Sequence, residues 1–216
     1  MKIDPQDLSW YNSHELLTGI VTPRPIAFVS TIGKDSVYNI APYSYFTAIC
    51  NNPMIVGFSQ GRKSNGEKKD TLQNIEFSKD FVINVVTEEI AEAMVQTSRA
   101  YPPDVDEFKE TGLTPIKADW VGAPLLAESP INMECRLMQI LEFGKEPRKT
   151  AFVIGEVVLV HIKDEYIVDG QLQPLKLKVI GRLSGHGAAY CRTTDLFEIK
   201  HTQWLREIRK EVEKDE

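Results

Sequence analysis

The fold is decided between Arg24 and Thr71, where the sequence reads RPIAFVSTIG (24–33), NIAPYSYF (39–46), PMIVGFSQGRK (53–63) and KKDT (68–71). Ile26 to Ile32 alternates β-branched and aromatic residues with small ones, which predicts a strand. Gly33 to Ser36 predicts a turn, because glycine adopts positive φ and short polar side chains bond the nearby backbone. Met54 to Ser59 is a second short apolar run and predicts a buried strand.

Hydroxyl and cationic side chains end these runs. They are Ser30 with Thr31, then the segment from Ser59 to Lys63, then Lys69 to Thr71. If the strands are neighbours, these ends form a pocket of hydroxyls, backbone amides and positive charge, which suits a phosphate. Residues 43–46 add a flat aromatic wall, and together they indicate a nucleotide-like ligand. The alternative is that these side chains only satisfy turns, since none of the pieces is a phosphate motif of known specificity.

Length and charge narrow the class of protein. A chain of 216 residues fits one domain, or a domain with a tail. Hydrophobic content of 42% and charged content of 26% are typical of a globular protein whose core needs no disulfide or structural metal. A net charge of −6 excludes a general nucleic-acid binder, which would show a basic face. The basic residues at 62–63 and 68–69 still suit a small anion.

Cysteine and histidine spacing predicts neither a disulfide framework nor a metal site. The three cysteines lack CxxC spacing, and the four histidines form no paired ligand pattern with them. The N-terminus lacks an apolar signal region, and no run approaches the ~18 apolar residues of a membrane span. We therefore expect a cytoplasmic protein without a membrane partner.

The rest of the chain predicts short helices among strands. Asp70 is expected to cap a helix that runs through Ile75, with Gln73 as its capping-box partner, and its first amides would face an anion. Further helices are predicted from Thr87, and from an Asp104–Glu107 capping pair to the stop at Gly112. Further strands are predicted at residues 80–86, 131–137, 151–162 and 175–183. Many short strands favour a closed antiparallel barrel, and the lack of GxGxxG after a strand disfavours a doubly wound sheet.

The chain divides into a domain at residues 1–193 and a tail at 194–216. In the tail, Leu205, Ile208 and Val212 lie at helical spacing among charged residues, which predicts an amphipathic helix. This helix would pack on its own barrel or on a second subunit.

Taken with later segments, the stretch resembles the flavin reductase-like family of FMN-binding split barrels, which includes flavoredoxin and the reductase components of two-component monooxygenases. The resemblance covers residues 18–190. The later segments that carry it are Asn74-Ile75, Phe81–Asn84, Glu107-Phe108, Gly112–Thr114, Glu128–Pro130, Glu134-Cys135, Val153–Val157, Gly181–Leu183 and Tyr190. It implies a mainly β, antiparallel split barrel with short helices and a C-terminal helix, assembled as a homodimer with the flavin close to the subunit boundary.

The resemblance also implies roles for the site residues. Thr31 and the segment Ala41, Pro42, Tyr43 and Ser44 would surround the ring and ribityl chain of FMN, whose electronics backbone amides tune. The phosphate candidates are Ser59, Arg62, Lys69 and Thr71, and the remaining cofactor candidates are Ser30, Asp70 and Asn74. His186, which follows the last predicted barrel strand, is either a proton donor near the flavin, a partner for the nicotinamide, or structural. No catalytic side chain is required.

The implied activity is transfer of electrons from NAD(P)H, through bound FMN, to an acceptor that the sequence does not name. Two alternatives stay open: an FMN electron carrier reduced by a partner protein, and a split barrel without flavin that acts as a binding module. The chain also departs from reductases that use free flavin as a substrate. Those often carry Gly-Asp-His before the Val153–Val157 strand, whereas residues 142–149 contain no histidine. This departure favours tightly bound FMN over rapid exchange.

Overall fold

The structure, a computed structural model, describes residues 1–184 and 189–197. Its strands, in chain order, are β1 (Ala27–Ile32), β2 (Tyr38–Tyr43), β3 (Tyr45–Cys50), β4 (Ile55–Gly61), β5 (Asp80–Val85), β6 (Pro115–Ile116), β7 (Leu125–Leu126), β8 (Ile131–Phe143), β9 (Thr150–Ile162), β10 (Ile167–Val168), β11 (Gln171–Leu172), β12 (Ile180–Arg182) and β13 (Tyr190–Arg192). The α-helices are α1 (Trp10–Ile20), α2 (Asp70–Ser78), α3 (Ala91–Gln96) and α4 (Glu107–Thr111). Single 3₁₀ turns lie at Pro5–Asp7, Glu88–Ile90, Asp164–Tyr166 and Pro174–Leu177.

Seven strands form one antiparallel sheet in the order β2-β1-β5-β8-β9-β4-β3. Its two outermost strands are consecutive in sequence, because β2 ends at Tyr43 and β3 begins at Tyr45. A single linking residue, Ser44, cannot span a flat sheet of seven strands about 4.8 Å apart. The sheet therefore rolls until its two edges meet. The ring of Tyr43 lies 5.1 Å from that of Phe58 on β4, five strands away in the sheet order, which shows the roll directly.

The inside of the rolled sheet holds the main apolar core. It contains Ala27, Val29, Tyr43, Val56, Phe58, Phe81, Ile83, Cys135 and Val153, together with Leu72 and Ile75 from α2. Gly155 on β9 makes room for the buried ring of Phe81, since a Cβ atom at this position would lie 2.5 Å from Phe81 Cζ. A second core on the outside lies under α3 and α4 and includes Phe28, Ile40, Met94 and Phe108. Helix α2 packs on β1, β2 and β5, so its first turn lies beside the edge strand β2.

Two predicted helix starts are wrong. Asp70 is the first helical residue of α2, and Lys69 holds the N-cap position. The Asp70 carboxylate does not cap the helix, because it accepts a hydrogen bond from Lys63 Nζ at 3.0 Å. The helix continues to Ser78. Asp106, and not Asp104, caps α4 by accepting the N–H groups of Phe108 and Lys109. Gly112 ends that helix at φ 70°, as predicted.

One further expectation needs correction, one lies outside the described residues, and one helix was not predicted. The predicted strand at 175–183 is a 3₁₀ turn followed by β12, because Lys178 adopts φ 49° and breaks the extended run. Helix α1 was not predicted; Ser9 caps it by accepting the N–H of Asn12. The predicted tail helix lies in residues 198–216, outside the described ranges. No helix in the described ranges has the length and apolar character to cross a membrane.

Candidate functional site

The candidate site lies where β2 passes into β3, beside the first turn of α2. Strand β2 is an edge of the sheet and, in the described part of the chain, pairs with β1 alone, so one side of its backbone makes no ladder bonds with the described strands. Ala41 and Pro42 are half-buried at this edge, and Ser44 forms the corner. The hydroxyl of Ser44 accepts a long hydrogen bond from Arg24 Nε at 3.4 Å. The predicted ring-binding segment is therefore placed together at an open edge.

Lys69 contributes a half-buried positive charge to this region. Its ammonium lies 5.7 Å from the centre of the Tyr43 ring, and partial burial lowers its pKa. The neighbouring Lys63 and Lys68 pair with Asp70 and Glu76, whereas Lys69 has no carboxylate within salt-bridge distance among the described residues. A cation that is partly removed from water and has no counter-charge gains from an anion that joins it. Lys69 is thus placed to receive an anionic ligand.

The first turn of α2 offers free backbone donors at the same place. Lys69 at the N-cap makes no side-chain capping bond. Within the described part of the chain, the N–H groups of Asp70 and Thr71 have no protein acceptor. Unpaired N–H groups and the positive end of the helix dipole together favour an anion.

The end of β4 carries further unsatisfied polar atoms. Arg62 pairs with Glu142 through one terminal nitrogen, but its Nε is buried and has no partner among the described residues. Gln60, two residues earlier, is 3% exposed, and neither atom of its amide is hydrogen-bonded to a described residue. Sequence reasoning did not identify Gln60 as a site residue. The signal that would have identified it is the alternation of β4, which puts Phe58 and Gln60 on the same inward face.

Several predicted residues meet in a buried hydrogen-bond network. Tyr43 OH donates to Thr71 Oγ1 at 2.8 Å, and Thr71 donates in turn to Asn39 Oδ1 at 2.7 Å. Asn74 Nδ2 donates to Thr31 Oγ1 at 3.0 Å, and Thr31 donates to the same Asn39 oxygen at 3.3 Å. Thr71 therefore uses its only hydroxyl proton inside the protein, so the donor that it offers to a ligand is its backbone N–H.

The network ends at a buried acid that sequence reasoning did not place in the site. Asn39 Nδ2 donates to Glu107 Oε1 at 2.6 Å, and Glu107 is 6% exposed. Burial raises the pKa of Glu107 to about 7. Burial also raises the pKa of Tyr43, which stays neutral. Asn39 and Glu107 are 68 residues apart, so no local spacing could have connected them.

The structure separates two predicted residues from this network. Ser30 points to the opposite side of β1 from Thr31, where it donates to the carbonyl of Pro124 and accepts from Asn84 Nδ2. Ser30 therefore ties β1 to the segment before β7, apart from the other predicted site residues. Ser59 lies on the outward face of β4, opposite in direction to Phe58, and is half-buried. His186 lies outside the described residues.

A cavity adjoins the hydrogen-bond network, and a cluster of titratable side chains lies apart from it. The cavity, of about 940 Å³, lies between α2, the turn at 33–37 and the loop at 102–105; the network residues Asn39, Asn74 and Glu107 line it, and residues 41–44 do not. Asp119, Glu134 and His161 also lie within 4.8 Å of one another. The Glu134 oxygens already accept the N–H groups of residues 119–121 and contact His161 Nε2 at 2.6 Å, so this carboxylate secures a loop to the sheet.

Comparison with known proteins gives consistent matches over most of the chain. The family model described as flavin reductase like domain matches residues 20–175. An uncharacterized protein of Halalkalibacterium halodurans is 38% identical over 188 residues, which are 86% of this chain and 90% of that one. Nitrilotriacetate monooxygenase component B from Bacillus cereus is 34% identical with a TM-score of 0.87, covering 92% of this chain and 98% of that one.

Two further solved structures extend the comparison. The 2-nitrobenzoate 2-nitroreductase NbaA of Pseudomonas fluorescens is 30% identical with a TM-score of 0.84, over 94% of this chain and 98% of that one. A flavin reductase with a split barrel domain from Shewanella frigidimarina is 23% identical with a TM-score of 0.76, over 94% of this chain and 100% of that one. The predicted mainly β split-barrel fold is thereby confirmed.

Proposed function

Because the chain belongs to the flavin reductase-like family, we propose that it binds FMN where β2 meets β3 and passes electrons from NAD(P)H through this flavin to an acceptor. Membership of the family supports a flavin-related oxidoreductase. The choice of FMN rests on one observation above the others: the half-buried ammonium of Lys69, without a described acidic partner, beside the unpaired first N–H groups of α2.

The phosphate would be held by Lys69 and by the backbone N–H groups of Asp70 and Thr71. These donors suit a terminal phosphate monoester, which presents three oxygens and up to two negative charges. Arg62 would add its free Nε, although its pairing with Glu142 limits its reach. The hydroxyl of Ser59, on the outward face of β4, completes the proposed set. An FAD pyrophosphate carries further groups at this position, so FMN is the preferred flavin.

The ring would lie along the backbone at Ala41 to Ser44. An edge strand presents N–H and C=O groups that are fixed in place by pairing on its other side, and Pro42 contributes an acceptor but no donor. Tyr43 and Lys69 would close one side of the pocket, while Thr31 and Asn74 support it from behind through their hydrogen bond. When bound, FMN supplies the redox chemistry; the protein supplies position and electrostatics, and needs no general acid or base of its own.

A homodimer is part of the proposal. Strand β3 forms one edge of the sheet, and its neighbourhood exposes several large apolar side chains: Tyr45, Ile49, Met54 and Phe143. A symmetric dimer is by far the commonest way to cover such a surface. Light scattering should give twice the chain mass; a stable monomer with full flavin occupancy would contradict this part of the proposal.

An FMN electron carrier is the competing function, since the departure at residues 142–149 favours bound flavin. The relatives illustrate two destinations for electrons: one is a component of a monooxygenase and the other reduces a nitro group. Both kinds of electron acceptor are compatible with the proposed flavin-dependent oxidoreductase, so the acceptor of this protein has to be identified by experiment.

The deciding experiment is the absorption spectrum of the purified protein, followed by anaerobic addition of NADH or NADPH. The reductase proposal predicts a flavin spectrum that bleaches with a nicotinamide alone. A flavin spectrum that bleaches only with a protein reductant supports the carrier. Apoprotein that binds neither FMN nor FAD in a titration refutes both and leaves the flavin-free binding module.

A further inference from the structure

A buried chain of hydrogen bonds connects α4 to the first turn of α2. It runs from Glu107 Oε1 to Asn39 Nδ2 at 2.6 Å, from Asn39 Oδ1 to Thr71 Oγ1 at 2.7 Å, and from Thr71 Oγ1 to Tyr43 OH at 2.8 Å. All four residues are buried. Away from water, each of these bonds is electrostatically stronger than in solution, and the loss of one leaves a costly unpaired group.

Glu107 sets the direction of the whole chain. Its Oε1 acts as an acceptor, so the Asn39 amide must turn its NH₂ group towards Glu107 and its oxygen towards Thr71. Thr71 then gives its proton to Asn39 and receives the proton of Tyr43. Without Glu107 the Asn39 amide is free to rotate by half a turn, and Thr71 would then face a second donor instead of an acceptor.

We propose that Glu107 is a positioning residue for the anion site at the start of α2, and that it acts through Asn39 on Thr71 and Tyr43. This inference rests on the proposed function, in which the anion is the phosphate of FMN. Thr71 is the second residue of α2, so holding its hydroxyl also holds the N–H groups of the first turn. The Lys69 ammonium lies over the ring of Tyr43, so the same chain positions this half-buried cation.

Glu107 can also tune the charge near that site. Burial, and to a smaller extent the nearby Asp70, raise its pKa to about 7 against the opposing effect of hydrogen bonds from the backbone and Asn39. Asp70 is paired with Lys63 on the loop before α2. The other charged groups around the cavity are Lys34, Asp35, Glu67, Lys68 and Glu76. Above its pKa, Glu107 places a negative charge behind the phosphate site, so FMN should bind more weakly there.

The test measures dissociation constants for FMN and riboflavin by flavin fluorescence, at pH values below and above the Glu107 pKa of about 7. The variants are Glu107→Ala, Glu107→Gln and the control Glu110→Ala, which removes the same charge from an exposed position on the same helix. Glu107→Ala should weaken FMN by about tenfold and riboflavin by at most about threefold. Glu107→Gln should retain wild-type affinity below the pKa and lose the decline above it, and Glu110→Ala should match wild type.

Comparing each variant with wild type at the same pH cancels the titration of the phosphate itself. Folded Glu107→Ala with wild-type FMN affinity overturns the inference, and so does an equal loss of FMN and riboflavin. If circular dichroism shows that Glu107→Ala does not fold, Glu107→Gln decides: a wild-type pH dependence in that variant overturns the inference, and its loss supports it. Wild-type protein that binds riboflavin and FMN equally instead refutes the phosphate site of the proposed function.

Discussion

Substitution of Lys69 by alanine separates a phosphate contact from every other role of this residue. A charge-assisted hydrogen bond to a phosphate oxygen contributes about 1.5–3 kcal/mol, so Lys69→Ala should raise the FMN dissociation constant by about ten- to a hundredfold. Riboflavin lacks the phosphate and should keep its affinity within about threefold. The stability of the fold should change little, because the half-buried ammonium has no described acidic partner and so contributes no ion pair.

The assay is parallel titration of apoprotein with FMN and riboflavin, with Lys68→Ala as the matched control. Lys68 is the preceding residue, pairs with Glu76 and is more exposed, so its loss should leave both affinities unchanged. Equal weakening of FMN and riboflavin by Lys69→Ala would refute the phosphate contact and indicate general damage to the loop. Unchanged affinity for both would place the phosphate elsewhere, at Ser59 or Arg62.

The same residue makes a prediction about pH. Burial lowers the pKa of Lys69 below its ordinary 10.5, so the unfolded chain holds this proton to higher pH than the folded apoprotein does. Stability therefore rises with pH wherever only the unfolded state is protonated. Relative to Lys69→Ala, apo wild type should gain stability as pH rises through the folded pKa towards 10.5, and the gain should shrink when FMN is bound. Chemical unfolding across this range measures both.

Three further predictions concern other parts of the molecule. Glu107→Gln should stabilise the apoprotein above pH 7 by about 1–3 kcal/mol after allowance for solvent screening. The reason is that the pKa of Glu107 is raised from 4.5 to about 7, so wild type loses stability as pH rises through that window. Equal stability of the two proteins at high pH would show that ionisation of this carboxylate costs the fold no stability. Gly155→Ala should cost about 1–3 kcal/mol by forcing a methyl group against Phe81, whereas Gly61→Ala, with open space around it, should cost less than about 1 kcal/mol in the same thermal melts. Arg62→Ala should weaken FMN less than Lys69→Ala does, since its guanidinium is already engaged by Glu142, and the reverse order in the same titration would reassign the principal phosphate ligand.

Several strands of the large sheet were predictable because they have a local signature, whereas β2 and β3 were not predicted as strands. Alternation of apolar and small residues places β1 within one residue of its predicted start, and the predicted strand at 151–162 matches β9 to within a residue. Helix starts were less predictable because capping patterns occur by chance. Asp70 and Gln73 have capping-box spacing, yet the Asp70 carboxylate pairs with Lys63 and Gln73 Nε2 donates to the carbonyl of Lys68. The ion pair of Asp70 with Lys63 therefore replaces the predicted capping bond.

The polar centre of the site was only half predictable, for the same reason. Thr31, Tyr43 and Thr71 were expected together from strand-end chemistry, and the structure places them in one network. The residue that connects them, Asn39, and its partner Glu107 were not identified. Glu107 had been explained as the third residue of a capping box, which is a local role, whereas its carboxylate contacts a side chain on β2. Only the three-dimensional fold reveals a partner so distant in sequence.

The topology explains how residues 24–71 form a defined site although no single segment among them is a specific phosphate-binding motif. Because β2 and β3 are consecutive, the rolled sheet brings its two unpaired edges to the corner at Ser44, and α2 starts beside them because it packs on β1 and β2. The groups available there are mainly backbone ones: the edge of β2 and the first N–H groups of α2. Backbone groups are present whatever the side chains are, so a ligand held by them requires few particular residues. Lys69 is the exception, since it supplies a charge that no backbone group carries, and its loss should therefore be felt by the phosphate alone.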